Sequence, residues 1–238
     1  MNLYVGTSGY SYKEWKGTFY PRELPDREML RFYAERFRAV EINNTFYRMP
    51  LASVLEAWAS QVPADFKFVL KAPQRITHVQ RLQNAGDSLS YLLEVAGTLK
   101  DRLGPLLFQL PPGLKKDLPR LADFLSLLPP RSRMAFEFRH ASWFVNEVFD
   151  LLHKHQAALC IAEEEGDLQV PFVATAGWGY LRLRRPGYGH QELKACINRL
   201  QEQNWKDIFV FFKHEEEGKG PQLARQFLEL ARERMVFP

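Results

Sequence analysis

Short apolar runs rich in β-branched and aromatic residues alternate along this chain with longer stretches whose apolar positions recur at helical spacing. The short runs, at 3–6, 39–43, 66–71, 105–110, 134–139, 157–162, 178–183 and 208–213, predict strands. The longer ones, at 27–38, 51–60, 85–102, 117–127, 142–155, 190–203 and 219–235, predict helices. Apolar residues at 89, 92, 93, 96, 99 and 103 form one helical stripe, and the spacing returns between Gln222 and Met235 with Leu223, Phe227, Leu230 and Ala231. Asp117 and Ser142 suit N-cap positions, and Gly104-Pro105 reads as a helix stop before the fourth strand.

Eight strands alternating with helices predict parallel βαβ units. The count of eight and the spacing of about 30 residues per unit favour an α/β fold of the (β/α)8 TIM type over a doubly wound sheet. The sixth unit is irregular: Glu163-Glu164-Glu165-Gly166-Asp167 and a short Pro171-Phe172 segment leave little room for a helix. With no linker rich in Gly, Pro or Ser, residues 1–238 read as a single barrel domain.

Two of the strands carry a carboxylate in their middle: Glu41 in Val40-Glu41-Ile42-Asn43 and Glu137 in Phe136-Glu137-Phe138-Arg139-His140. Side chains alternate along a strand, so Glu41 shares a face with Asn43, and Glu137 with Arg139. A charge on a buried strand face is costly unless paired or used. In a TIM-type barrel chemistry sits where the strands end, on the C-terminal face. Those ends offer Thr7, Ser8, Tyr12 and Trp15 after the first strand and Asn43 and Tyr47 after the second. Lys71, Gln109 and Arg139-His140 close the third, fourth and fifth, Arg182 lies in the seventh, and Lys213-His214 close the eighth. A structural ion network filling the barrel end is the competing explanation. Arg184 and Arg185 read as solvated, as does the acidic run Glu215-Glu216-Glu217.

Composition narrows the picture only a little. Lys plus Arg exceed Asp plus Glu by 32 to 28, a net charge of +4, which permits an anionic ligand without demanding one. Cys160 and Cys196 read as two reduced thiols, no apolar run approaches a membrane span, and the start lacks a signal-like segment, so a cytoplasmic protein is expected. No nucleotide fingerprint, phosphate loop, serine elbow or zinc-protease spacing is present. His78, His140 and His214 fall at or just past strand ends without metal-ligand spacing, and His153 and His155 close a helix, so neither metal nor cofactor is expected.

The segments Val5-Gly6-Thr7-Ser8-Gly9-Tyr10, Trp15 with Phe19-Tyr20-Pro21, Glu41-Ile42-Asn43 through Thr45-Phe46-Tyr47-Arg48, Lys71-Ala72-Pro73 with Ile76-Thr77-His78, Phe108-Gln109-Leu110-Pro111-Pro112 and Glu137-Phe138-Arg139-His140 resemble the YecE-like family, also called domain of unknown function 72. The resemblance runs from the first strand to the last helix. It implies a TIM-type barrel in a bacterial or archaeal cytosolic protein and supplies no activity. At the level of fold alone the barrel is similar to the xylose isomerase and endonuclease IV group. Lys213-His214 stand where the family usually has Asn-Asn or Asn-Asp, and Arg182-Leu183-Arg184-Arg185 where it often has Arg-Leu-His-Gly. Glu163 or Glu164 stands where the sixth strand usually ends in Asp.

The reading that unites these residues is an enzyme, a hydrolase or lyase acting on an anionic small molecule, a sugar phosphate or a nucleotide. Glu41 and Glu137 are the expected general acid and base, with Lys71 completing the catalytic set. Lys71, Arg139 and Arg182 would hold an anionic group, and Tyr12, Trp15 and Tyr47 would stack on a ring or sugar. Thr7, Ser8, Asn43, Gln109 and His140 complete the expected substrate contacts. A nucleic-acid-binding module, a metal-dependent phosphodiesterase related by fold to endonuclease IV, and a non-catalytic ligand-binding scaffold are the alternatives.

Overall fold

In the computed structural model, which describes residues 1–130, 132–163, 166–185 and 187–234, each predicted strand is present within a few residues of its expected bounds. They are β1 (Asn2–Thr7), β2 (Ala39–Ile42), β3 (Lys67–Lys71), β4 (Leu103–Gln109), β5 (Met134–Glu137), β6 (Ala158–Glu163), β7 (Trp178–Leu183) and β8 (Asp207–Phe212). Parallel ladders join them in the order β1-β8-β7-β6-β5-β4-β3-β2. The outer layer comprises α1 (Met29–Ala34), α2 (Ala52–Ala59), α3 (Gly86–Gly97), α4 (Leu118–Ser126), α5 (Asn146–Lys154), α6 (His190–Gln201) and α7 (Lys219–Arg234). This is a nearly closed (β/α)8 barrel of the TIM type. Among the described residues no helix lies between β6 and β7, which is the irregular sixth unit.

The seam between β1 and β2 closes by an unusual route. A Cβ on Gly6 would stand 2.0 Å from the Ala39 carbonyl oxygen, so only glycine lets the two backbones approach this closely. The Tyr33 hydroxyl, delivered by α1, accepts from the Thr7 N–H at 2.8 Å and donates to the Ala39 carbonyl at 3.1 Å. It thereby replaces a ladder hydrogen bond that neither strand makes directly. Toward the mouth the backbones meet again, with the Gly9 N–H donating to the Glu41 carbonyl at 2.7 Å.

Large and small side chains divide the barrel interior. Tyr4, Tyr180, Phe209 and Phe211 enter from β1, β7 and β8, while Ala39, Ala135, Ala158, Cys160 and Ala162 face them from β2, β5 and β6. Small residues opposite large ones let rings meet near the axis without voids. Tyr4 stacks on Phe209 with centroids 4.8 Å apart. At the N-terminal end Asp207 accepts from Asn2 at 2.7 Å and pairs with Arg133, so this end is a polar plug rather than an opening.

Several local expectations need correction. Gly104-Pro105 is not a helix stop but lies inside β4, where Gly104 packs against the Phe68 carbonyl and Val69 at the register shift of the β3–β4 ladder. Ser142 does not cap α5; Val145 holds that position, and the Ser142 hydroxyl accepts from the Lys116 N–H at 2.8 Å. Asp117 does cap α4, accepting from the Arg120 N–H. The long predicted helices are divided: Asp26–Glu28 and Lys100–Arg102 form 3-10 turns flanking α1 and α3. Glu164 and Met235 lie outside the described residues.

Candidate functional site

Strand alternation builds the site in layers. Glu41 on β2 and Glu137 on β5 point into the barrel below its C-terminal rim, and both are fully buried. Two residues further along each chain come Asn43 and Arg139, which reach the open mouth. On β7 the same alternation places Tyr180 and Arg182 on the inner face, with Arg184 next in phase just past the strand end.

Arg182, 1 % exposed, spans the two carboxylates. Its Nε and Nη2 donate to Oε1 of Glu41 at 3.2 and 2.7 Å, and its Nη1 donates to Oε2 of Glu137 at 2.6 Å. Ser8 donates to Oε1 of Glu41 at 2.5 Å and Tyr180 to its Oε2. Oε1 of Glu137 accepts from Gln109 and from Arg184, each at 2.7 Å. Every carboxylate oxygen therefore has a donor. Burial pushes the Glu137 carboxyl up, but Arg182 and Arg184 with their hydrogen bonds override it and hold the group well below the usual carboxylate range. Burial opposes the Arg182 charge, and the two glutamates overcome it, so this guanidinium stays firmly protonated.

Above this layer opens a cavity of about 1000 Å³. Its walls are Tyr12, Asn43, Asn44, Tyr47, Lys71, Gln109, Arg139, Arg182, Arg184, Lys213, His214, Glu215, Glu216 and Lys219. Cations dominate, and they come from β3, β7 and the segments after β5 and β8. Lys71 ends β3 with its ammonium 4.1 Å from the centre of the Phe46 ring. Thr45, fully buried, shares its single hydroxyl proton between the Lys71 carbonyl at 2.7 Å and the Ile42 carbonyl at 3.0 Å, tying the end of β3 to the turn after β2. Burial, with Arg182 next, brings the Lys71 amine down to about 8, against the pull of Glu137 and Glu41. His214 donates from Nε2 to the Arg185 carbonyl at 2.5 Å, and burial lowers its pKa, which makes Nδ1 the acceptor nitrogen of a neutral ring.

A model of the family described as "Protein of unknown function DUF72" matches residues 4–237. The chain belongs to the DUF72 family. The "UPF0759 protein YunF" of Bacillus subtilis is 26% identical over 269 residues, covering 96% of this chain and 94% of that protein. The "UPF0759 protein YecE" of Escherichia coli is 31% identical over 143 residues, 60% of this chain and 50% of that protein. A DUF72 crystal structure from Thermotoga maritima superposes with a TM-score of 0.86 at 26% identity, covering 98% of this chain and 100% of the other. One from Enterococcus faecalis, 17% identical, has a TM-score of 0.80 over 99% and 97% of the two chains and shares the fold. DUF72 is a family without an established activity.

Of the residues expected to form the site, Tyr12, Asn43, Tyr47, Lys71, Gln109, Arg139 and Arg182 line the cavity of this DUF72 barrel. Ser8, Glu41 and Glu137 lie in the ion network beneath it. Three others fall elsewhere. Trp15, expected to stack on a ligand, is 1 % exposed, with Nε1 donating to the Glu215 carbonyl and its ring packed among Tyr12, Phe19 and Tyr20. The Thr7 hydroxyl donates to the Gly9 carbonyl at 2.6 Å and belongs to the seam. His140 uses Nδ1 to accept from the Ser142 N–H and caps the turn Ala141–Trp143.

Arg184 was expected on a solvated face and instead bonds Glu137 with its side chain 11% exposed. Its in-phase spacing with Arg182 was the available signal. Tyr180 carried the same signal two positions earlier. The acidic run Glu215-Glu216-Glu217 is exposed to solvent as expected, and Glu215 and Glu216 also border the cavity. Arg185 does sit at the surface, pairing with Glu163 and Glu192. Among the described residues no group of three His, Cys, Asp or Glu side chains is placed to share a metal ion. No helix of the described chain is long and apolar enough to cross a membrane. Both cysteines are buried and free, and burial raises both thiols.

Proposed function

We propose that the barrel mouth binds an anionic small molecule, of the sugar phosphate or nucleotide class, and that the chain acts on it in the cytoplasm as an enzyme of hydrolase or lyase type. The observation that carries this reading is the division of charge between two layers. The buried carboxylates already have their cations in Arg182 and Arg184, while around the cavity above Lys71, Arg139, Lys213 and Lys219 outnumber Glu215 and Glu216, the first of which pairs with Lys213. A phosphate or carboxylate entering there meets oriented donors in a partly desolvated site, where charge-assisted bonds are strong.

In this reading Lys71 and Arg139 supply binding, and Arg182, held by Glu41 and Glu137, adds positive charge at the cavity floor. Glu137 is too acidic to carry a proton as a general acid near neutral pH, and its oxygens are fully engaged. Lys71 and His214 are the cavity groups whose neutral forms are accessible near neutral pH, so proton transfer falls to them.

Isothermal titration with inorganic phosphate, a sugar phosphate, a nucleoside monophosphate and the matching uncharged sugar tests the reading. The charged ligands should bind and the uncharged sugar should not, with Arg139→Ala weakening binding by about tenfold or more for a lost charge-assisted bond. Equal affinity for charged and uncharged ligands would sink it.

A nucleic-acid strand end is a second reading, favoured by Tyr47, which is 74% exposed at the rim and offers a stacking face beside the basic cavity. A steep fall of oligonucleotide affinity with salt, lost in Tyr47→Ala, would support it over the small-molecule reading.

A further inference from the structure

We propose that Lys71 is a nucleophile that forms a Schiff base with an anionic carbonyl compound. The idea rests on the anion-binding reading above and narrows its ligand to a phosphorylated or carboxylated aldehyde or ketone.

Three features set Lys71 apart from an ordinary anion-binding lysine. It lines the cavity, yet no carboxylate stands within ion-pair distance of it among the described residues; its ammonium lies against the Phe46 ring instead. An aromatic face and partial burial make a poor substitute for the water a protonated amine loses. The backbone that carries it is held by Thr45, whose hydroxyl bonds the carbonyls of both Lys71 and Ile42. That anchor is fully buried, so the amine works from a rigid base. The charges around it are mixed: Arg182 and Lys213 favour the neutral amine, while Glu137 and Glu41, both committed to Arg182, favour the charged one. Arg139 and His78 also lie within electrostatic reach of this cluster.

These conditions leave a large share of the amine neutral near pH 8, and only the neutral form attacks a carbonyl. The nitrogen lone pair forms a bond to the carbonyl carbon while the C=O π pair moves to oxygen. Nitrogen loses one proton, the oxygen gains one, and the carbinolamine then expels water with one further proton to leave the protonated imine. Overall, amine, carbonyl and one proton give iminium and water. The open mouth supplies and accepts these protons from solvent. Arg139 and Lys213 line the same cavity and add positive charge for the anionic group of the molecule, and the positive iminium is an electron sink for cleavage or proton loss at the adjacent carbon, which is lyase chemistry.

Pyridoxal 5′-phosphate is a suitable probe, with unphosphorylated pyridoxal as its control and borohydride as the hydride donor that reduces any imine to a stable amine. At substoichiometric probe, peptide mapping should place the label on Lys71 ahead of the exposed lysines. Pyridoxal should label Lys71 at least about tenfold more slowly, since it lacks the charge-assisted contacts. Inorganic phosphate should protect the site. Lys71→Arg should lose the label while the exposed lysines keep their slower reaction. Label spread over exposed lysines, with phosphate still bound by the wild-type protein, would overturn the nucleophile and leave the anion site standing. Absence of both labelling and phosphate binding would overturn the anion-binding reading with it.

Discussion

Arg182 grips one oxygen of Glu41 with two of its three guanidinium nitrogens, at 2.7 and 3.2 Å, and leaves the third for Glu137. The pair joins β2 to β7 across the barrel axis, far apart in sequence and fully removed from water. Two carboxylates and one guanidinium leave a formal negative charge in this layer, which Arg184 offsets from above. The network therefore fills the top of the barrel with carboxylates whose every oxygen has a donor, and it sets the positive charge of Arg182 and Arg184 at the floor of the cavity.

Removing Arg182 should be far more damaging than removing either carboxylate's charge. Arg182→Met leaves Glu41 and Glu137 buried with much of their compensation gone, and breaking such a network typically costs about 3–5 kcal/mol. Glu137→Gln keeps the shape and most hydrogen bonds, so its cost should be about 1–3 kcal/mol. Urea denaturation of the two variants measures the difference. A smaller loss for Arg182→Met than for Glu137→Gln would show that the network does not hold the barrel end together.

Acid should reveal the same network. The Glu137 carboxyl lies near 2 in the folded protein against 4.5 for the free side chain. Its contribution to stability is thus complete above pH 4.5 and is lost as pH falls from there toward 2. Glu137→Gln should flatten the fall of stability with pH in that window relative to the wild-type protein. Parallel stability–pH curves for the two proteins would contradict the assignment.

The seam between β1 and β2 offers an independent test. Tyr33→Phe deletes the hydroxyl that links the Thr7 N–H to the Ala39 carbonyl and leaves both buried groups without that partner. The expected loss is about 1–3 kcal/mol, with faster hydrogen exchange at the Thr7 amide. Unchanged stability and unchanged exchange at Thr7 would mean that the hydroxyl does not close the seam.

The barrel was legible because parallel strands buried on both faces write themselves as apolar runs, and helices as stripes, at spacings that match the eightfold repeat. That Glu41 shares a face with Asn43, and Glu137 with Arg139, followed from alternation alone. Alternation would also have placed Arg184, but Arg184-Arg185 looks like a charged turn, and the ion pair with Glu137 that marks the first of them as inward is not written in the local sequence. Trp15 was misread because an aromatic residue after a Gly-rich strand end looks the same whether it faces a ligand or the core. Burial against Phe19 and Tyr20 decides between them. Tyr33 and Thr45 escaped notice because their roles are contacts to backbone carbonyls of other elements, which leave no mark in local sequence.

Anion binding and the state of Lys71 should be linked. Burial and the nearby Arg182 hold the amine at about 8, so around that pH a large share of the molecules lack the proton. An anion seated beside Lys71 adds opposite charge, favours the ammonium and draws in a proton. Sulfate suits the measurement because it does not itself titrate near neutrality. Its binding heat near pH 8 should differ between buffers of high and low ionisation enthalpy, in the direction of proton uptake. Toward neutral pH the part of the difference that belongs to Lys71 should shrink, because Lys71 is then mostly charged before sulfate arrives. Lys71→Arg, charged throughout, should bind sulfate with no buffer dependence at either pH. Sulfate binding to the wild-type protein without proton uptake near pH 8 would show that the anion does not sit beside Lys71.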